Sequence, residues 1–287
     1  MAMNAAALDA HRFTQAQCDA LFAAVLINDE VDPHTELPEV IDLDFPESRL
    51  IDCFCLCRQL LKAGVDNAEL VELTDRIGRD GDLNAEDRLR YKNARAKFKH
   101  MRFAYALYDA RHRYPVILDW MTTAMGHMQD AMKNGDRRSL ARQVKLARIF
   151  QSALPQRLVM REIDHFRPTT AAGYRGYVER QIAKLRAVLA KEAVTGEEFH
   201  ATRKIISRQV SFYDDMRTIH PSPDIHKTAR SLAAINGLMG EMHDRLVERR
   251  VAGVQDYHRE RFALPDDIAG RLNALAGRYP AEATREG

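Results

Sequence analysis

Glycine and proline are scarce in this chain, with fourteen and ten in 287 residues. Few breakers beside abundant Ala, Leu and Arg favour helices. Cysteine is limited to Cys18, Cys53, Cys55 and Cys57. Three of these sit in C-x-C-x-C, which does not fit the disulfide framework of a secreted domain. No window approaches eighteen uninterrupted apolar residues, so no membrane span is expected. An early Asp9, His11 and Arg12 break up the N-terminus, so no signal peptide is expected and a cytoplasmic protein is the natural reading. Aromatics are 7% with a single tryptophan, and no RNP-like or helix-turn-helix pattern offers a way to stack or read bases. Nucleic acid is therefore a less favoured partner. No P-loop, nucleophile elbow or dinucleotide glycine pattern is found, so no catalytic residue or cofactor is expected.

The chain carries enough apolar residues (46%) against charged ones (29%) to build a folded core. Its charge is unevenly distributed. Residues 1–56 hold eleven acids and only Arg12 and Arg49 as cations, a net −9, which leaves +11 on the remainder. Such an imbalance bears on partners rather than on fold. The body is expected to attract polyanions, and the acidic segment to compete with them.

Helical periodicity runs nearly the whole length after residue 47. Residues 1–47, interrupted by Pro33, Pro38 and Pro46, form an acidic, partly irregular segment with a short helix over 14–26. Residues 48–84 read as a helical pair. Residues 85–278 read as a duplicated body with halves over about 85–165 and 169–262. Within it, one helix runs from Asp136 to about Leu154, Thr195 opens a T-x-x-E capping box, and Asp224 caps a last long helix. The fold class is all-α: two pseudo-symmetric antiparallel helical-bundle halves with the acidic segment in front.

The duplication is visible in Met125-Gly126-His127-Met128-Gln129-Asp130 and Met239-Gly240-Glu241-Met242-His243-Asp244, which share M-G-x-M-x-D. Histidine changes position between the copies, so the shared element reads as packing, with glycine permitting close approach. A basic helix precedes each copy. Lys92, Arg95, Lys99 and Arg102, at spacings of 3, 4 and 3, lie on one helical face with Lys97 and His100 beside it. His200, Arg203, Lys204 and Arg208 form the second. A third run holds Arg138, Arg142, Lys145 and Arg148, and Arg175, Arg180 and Lys184 add a fourth. One charged stripe is usually a solvated face. Several stripes with few local acids, and none over 92–104, point to use of the charge. Arginine offers a planar fork to phosphate oxygens and lysine a mobile point charge.

His200-Ala-Thr-Arg203-Lys204-Ile-Ile-Ser207-Arg208 resembles the H-x-x-R-(x)3-[RK]-R signature of the conserved histidine α-helical domain, the CHAD family. Lys92 through Arg102 resembles the same pattern in the first half, with Lys92 at the histidine position and His100 at an arginine position. The two M-G-x-M-x-D steps resemble the family's L-G-x-x-x-D. The resemblance spans roughly residues 85–260. It implies two pseudo-symmetric helical halves around a basic channel that binds inorganic polyphosphate. Lys92, Arg95, Lys99, Arg102, His200, Arg203 and Arg208 would line it, with Lys204 nearby. Ser207 replaces a basic residue of the pattern, and Val210 stands where a further arginine is usual. The E-x-E-x-K strand of the triphosphate tunnel domain that often accompanies this family is absent, so no phosphohydrolase is inferred.

Three metal-like patterns occur, and none meets the requirements of a site. Glu162-Ile-Asp-His165 is E-x-x-H without the second copy a di-iron bundle needs. Cys53 and Cys57, four apart with Cys55 facing away, read as buried structural thiols. Asp80-Gly-Asp82-Leu-Asn84 would place Tyr91 where a calcium loop needs Glu. The expected function is non-enzymatic binding of a polyanion, inorganic polyphosphate foremost. The alternative is a helical scaffold for protein partners with solvated basic faces.

Overall fold

Caps and breakers set most of the helix ends in the computed structural model, which describes residues 2–27 and 29–280. Among the described residues twelve helices account for nearly all the regular structure, and the fold is all-α. The chain divides into two units, Met1–Cys18 with Leu50–Thr169, and Asp19–Arg49 with Thr170–Gly287.

The first unit holds α1 (Ala5–Asp9), the start of α2 (Gln15–Leu26), most of α3 (Glu47–Gly64), then α4 (Asn67–Asp80), α5 (Ala85–Tyr108), α6 (Val116–Lys133), α7 (Arg137–Gln151) and α8 (Ala153–Ile163). Asp66, Asn84 and Asp136 cap α4, α5 and α7 by accepting from Ala68, Asp87 and Ser139 backbone N–H groups. The helix expected over 136–154 ends early. Ser152 is extended and separates α7 from α8, and Pro155 falls in the first turn of α8, where its missing N–H costs nothing. Helix α6 packs against α5, α7 and α8, and α7 also packs on α4. Phe54 stacks on Phe166 with centroids 3.6 Å apart and meets Tyr105 edge-on at 5.1 Å. Arg58, 3% exposed, is held among these helices by Asp9 at 2.6 Å and Asp164 at 2.5 Å. Cys18, Cys53, Cys55 and Cys57 are all buried thiols. Burial pushes the Cys55 thiol up to about 12.

The second unit holds α9 (Ala171–Leu189), β1 (Val194–Thr195), α10 (Gly196–Ile219), α11 (Pro223–Val251), β2 (Arg261–Phe262) and α12 (Asp266–Arg278). The Thr195–Glu198 capping box forms as its spacing predicts. Ser222, two residues before the expected Asp224, caps α11, with Pro223 in its first turn. Two features were not anticipated: α12, and the two-residue antiparallel pairing of β1 with β2. Helix α10 lies against α11 and α9, and α12 packs on α9 and α11.

Residues 29–45 are bound into this second unit as an irregular strap. Asp32 pairs with Arg230, Glu36 with Lys227 at 3.4 Å and Asp44 with Arg175 at 2.6 Å. Arg271 donates to the backbone oxygens of Asp32 and Pro33, Ser231 to that of Glu36, and Ile41 N–H to the Arg278 carbonyl. Phe45 inserts between Tyr174 and Phe212, with centroids at 5.9 and 5.0 Å. The acids of the strap thus pair with Arg175, Lys227 and Arg230, of which Arg175 belongs to the fourth basic stripe. These three acids of the segment have a structural role.

Gly237 on α11 marks how closely the strap is held. A Cβ there would stand 2.3 Å from the Asp29 carbonyl oxygen and 2.8 Å from Val31 Cγ2. Gly237→Ala is expected to destabilise the protein by about 1–3 kcal/mol through overpacking. Thermal or urea unfolding measures this, and an unchanged midpoint would contradict the packing of 29–31 on α11.

Candidate polyanion-binding site

Helix α5 carries its cations on a face that is exposed at Lys92 and half-buried beyond it. Lys92 is exposed; Arg95, Lys99 and Arg102 are half-buried; His100 is buried at 3% exposure. The histidine expected beside the basic stripe therefore offers little to a ligand. Lys97 also turns to structure, donating to the Gly64 carbonyl oxygen at 2.5 Å. Arg102 reaches Asp119 at 2.8 Å and lies 4.8 Å over the Tyr114 ring. Its carbon-rich surroundings and ion pair make it a packing residue as much as a cation. Lys99 lies 5.6 Å over the Phe103 ring.

Arg95 has a different environment. Its guanidinium is laid across α6 at the glycine of M-G-x-M-x-D. A Cβ on Gly126 would stand 2.8 Å from Arg95 Nη2 and 3.3 Å from Nε, so only glycine leaves the fork its place. Met125, on the N-terminal side of that glycine, offers its backbone carbonyl to Tyr91 Oη at 3.1 Å, which fixes α5 on α6 one turn away. Gln129 lies 3.4 Å from Arg95 Nη1, at the long end of a hydrogen bond. Arg95 Nε is buried and has no hydrogen-bond partner among the described residues. Burial lowers the guanidinium below its ordinary value, and the field of Asp130 opposes that shift. An arginine does not discharge at any ordinary pH, so the result is a desolvated cation short of counter-charge.

The second unit repeats the arrangement. Arg203 on α10 is laid across Gly240 on α11, with a Cβ at 240 standing 3.0 Å from Arg203 Nη2. Arg203 Nε is likewise buried without a partner among the described residues. One turn back on α10, His200 stacks on His243, centroids 4.7 Å apart and planes 30° apart. His243 in turn meets the edge of Tyr257. The histidine of the second M-G-x-M-x-D copy thus belongs to an aromatic stack beside Arg203, while His127 of the first copy is exposed. Lys204 is exposed, and Arg208 donates from Nη2 to Gln181 at 2.7 Å.

Helix α7 separates its cations. Arg138 and Arg142 are exposed and lie outside any described cavity, whereas Lys145 lines a cleft with Arg137, Arg148 and Arg79 of α4. Arg79 and Arg137 were missed in the sequence because each sits at a helix end, off the periodic stripe. Among the other patterns, Glu162 accepts from the Ile117 and Leu118 N–H groups at the start of α6, and Asp164 pairs with Arg58 and Lys62. The E-x-x-H carboxylate is therefore a helix cap.

Comparison with known proteins adds no relative: no family model, curated protein or solved structure matches the chain.

Two cations on α5, one paired and one exposed, differ in what their removal does to stability. Arg102→Ala loses the Asp119 pair and the stack on Tyr114 and is expected to cost about 1–2 kcal/mol. Lys92→Ala, on the exposed turn, is expected to stay within about 0.5 kcal/mol of wild type. Urea unfolding measures both, and equal effects would contradict the distinction.

Proposed function

We propose that this protein is a non-enzymatic polyanion-binding protein, with inorganic polyphosphate as the foremost ligand. The observation that carries the reading is the repeated arginine over glycine. In each unit a basic helix delivers a half-buried guanidinium across the glycine of M-G-x-M-x-D, with its Nε–H buried and unsatisfied. A phosphoryl oxygen is the acceptor such a group lacks. It brings both the hydrogen bond and the counter-charge, and charge-assisted bonds of this kind are the strong ones. Lys92 and Lys99 beside Arg95, and His200, Lys204 and Arg208 beside Arg203, extend each site along its helix in the manner needed for a chain of phosphates. Arg102 contributes mainly by holding α5 in place. The CHAD resemblance is proposed on these same residues.

Binding of this kind releases counterions and weakens steeply with salt. Titration of the full chain with long-chain polyphosphate at two salt concentrations is the test. Binding is expected at low salt, with marked loss at high salt. Arg95→Ala and Arg203→Ala are each expected to weaken it about tenfold, in keeping with loss of one charge-assisted contact. No binding at low salt, or unchanged affinity in the double variant, would overturn the reading.

One observation favours the second reading, a helical scaffold. Val116 and Trp120, four apart on α6, and Ile149 and Leu154 near the α7–α8 junction are exposed apolar residues of the first unit. Val116 and Trp120 share one face of α6, and an exposed apolar face suits a protein contact. A partner bound there would tolerate salt that strips a polyanion.

A further inference from the structure

A cleft of about 300 Å³ opens in the first unit between the last turn of α4 and α7. Its floor is apolar, formed by Ile77, Leu140 and Val144, and its walls carry Arg79, Arg137, Lys145 and Arg148. No acidic residue lines it among the described residues. Arg148 is engaged through Nε by Asp75 at 2.8 Å. The side chains of Arg79, Arg137 and Lys145 have no hydrogen bond or ion pair among the described residues.

Two local features run against what helix stability alone favours. Helix α7 has five cations and not one acid, so its charges repel along the helix. It also begins with Arg137-Arg138, cations at the end where the helix dipole disfavours them. Glycine keeps the cleft open on the α4 side. A Cβ at Gly78 would stand 3.0 Å from Val144 Cγ1 and 3.1 Å from Arg148 Nη2. Gly81, at φ +79°, turns the chain away after α4, and its position lies 4.0 Å from the Arg137 fork. Sequence choices that conflict with local stability are expected where a site is built.

We infer that this cleft is a separate binding site for a compact anion of the phosphate class, carrying one or two phosphoryl groups. Three unpaired cations and one partly engaged guanidinium converge on a volume equal to roughly ten waters, too small for more than a short anion with its hydration. Two arginine forks offer paired N–H donors to phosphoryl oxygens, and the lysine adds a mobile charge. The site does not involve Arg95 or Arg203, and it stands whether or not the protein binds polyphosphate.

The test is calorimetric titration of the full chain with pyrophosphate and with inorganic phosphate at low salt. Saturable binding of about one equivalent is expected, with Arg79→Gln and Arg137→Gln each weakening it about tenfold. Arg138→Gln and Arg142→Gln, exposed and outside the cleft, and the Arg95→Ala/Arg203→Ala double variant should leave it within about twofold. All four glutamine substitutions are at exposed positions, so unfolding midpoints without ligand should match wild type. Titration with a nucleoside diphosphate separates two sources of the same chemistry: binding assigns the site to the phosphoryl end of a larger molecule, and binding of pyrophosphate alone to the free anion. Absence of saturable binding would overturn the inference. So would equal losses in the Arg138 and Arg142 variants, which would mean diffuse charge, or loss confined to the Arg95/Arg203 variant, which would place the anion elsewhere.

Discussion

A guanidinium can lie flat across a helix only where the helix has no side chain beneath it. Arg95 over Gly126 and Arg203 over Gly240 meet that condition in the same way, each at the glycine of M-G-x-M-x-D. The contact gives the glycine its purpose: it makes room for a cation, more than for the neighbouring helix as a whole. It also leaves that cation partly stripped of water, with one N–H unsatisfied. Arg102, Arg208 and Arg217 also bury an Nε–H without an acceptor, so what sets Arg95 and Arg203 apart is that this N–H and a glycine seat occur together in corresponding places of both units. The Tyr91 bond to the Met125 carbonyl in one unit, and the His200–His243 stack in the other, hold the helices that present these arginines.

Charge is managed differently elsewhere in the chain. In the second unit the strap over 29–45 brings Asp32, Glu36 and Asp44 onto Arg230, Lys227 and Arg175, so cations outside the proposed site are answered within the fold. In the first unit Arg58 is closed off by Asp9 and Asp164. The cations of α7 receive little such attention, apart from Asp75 on Arg148. The overall charge of +2 therefore describes neither unit's surface. The contrast between answered and unanswered cations carries more functional information than the number of cations.

Much of the all-α architecture was legible because it rests on local signals. Asn84, Asp136, Thr170 and Thr195 mark helix starts through side-chain acceptors, and the 3.6-residue period marks the buried faces. What escaped depends on distant contacts. The strap has no periodicity, and its register is set by Arg271, Arg278 and Ser231 far along the chain. The break at Ser152 precedes the end that proline suggests, because Pro155 sits in the first turn of α8 and does not terminate α7. For the site, spacing identified Arg95 and Arg203 as sharing a face with other cations. It could not tell that Arg102 would be paired with Asp119, that His100 would be buried, or that Arg79 and Arg137 would meet across two helices. Helical spacing reports a face, whereas pairing is decided by what packs against it.

The central claim is that the two glycine-seated guanidinium groups accept phosphate oxygens. The most direct measurement is nuclear magnetic resonance of arginine Nε–H groups, assigned by substitution, during titration with polyphosphate. The Nε–H resonances of Arg95 and Arg203 should shift and become protected from exchange, while that of Arg58, already held by Asp9 and Asp164, should stay in place. Shifts confined to the exposed cations of α7, with Arg95 and Arg203 unchanged, would contradict the account.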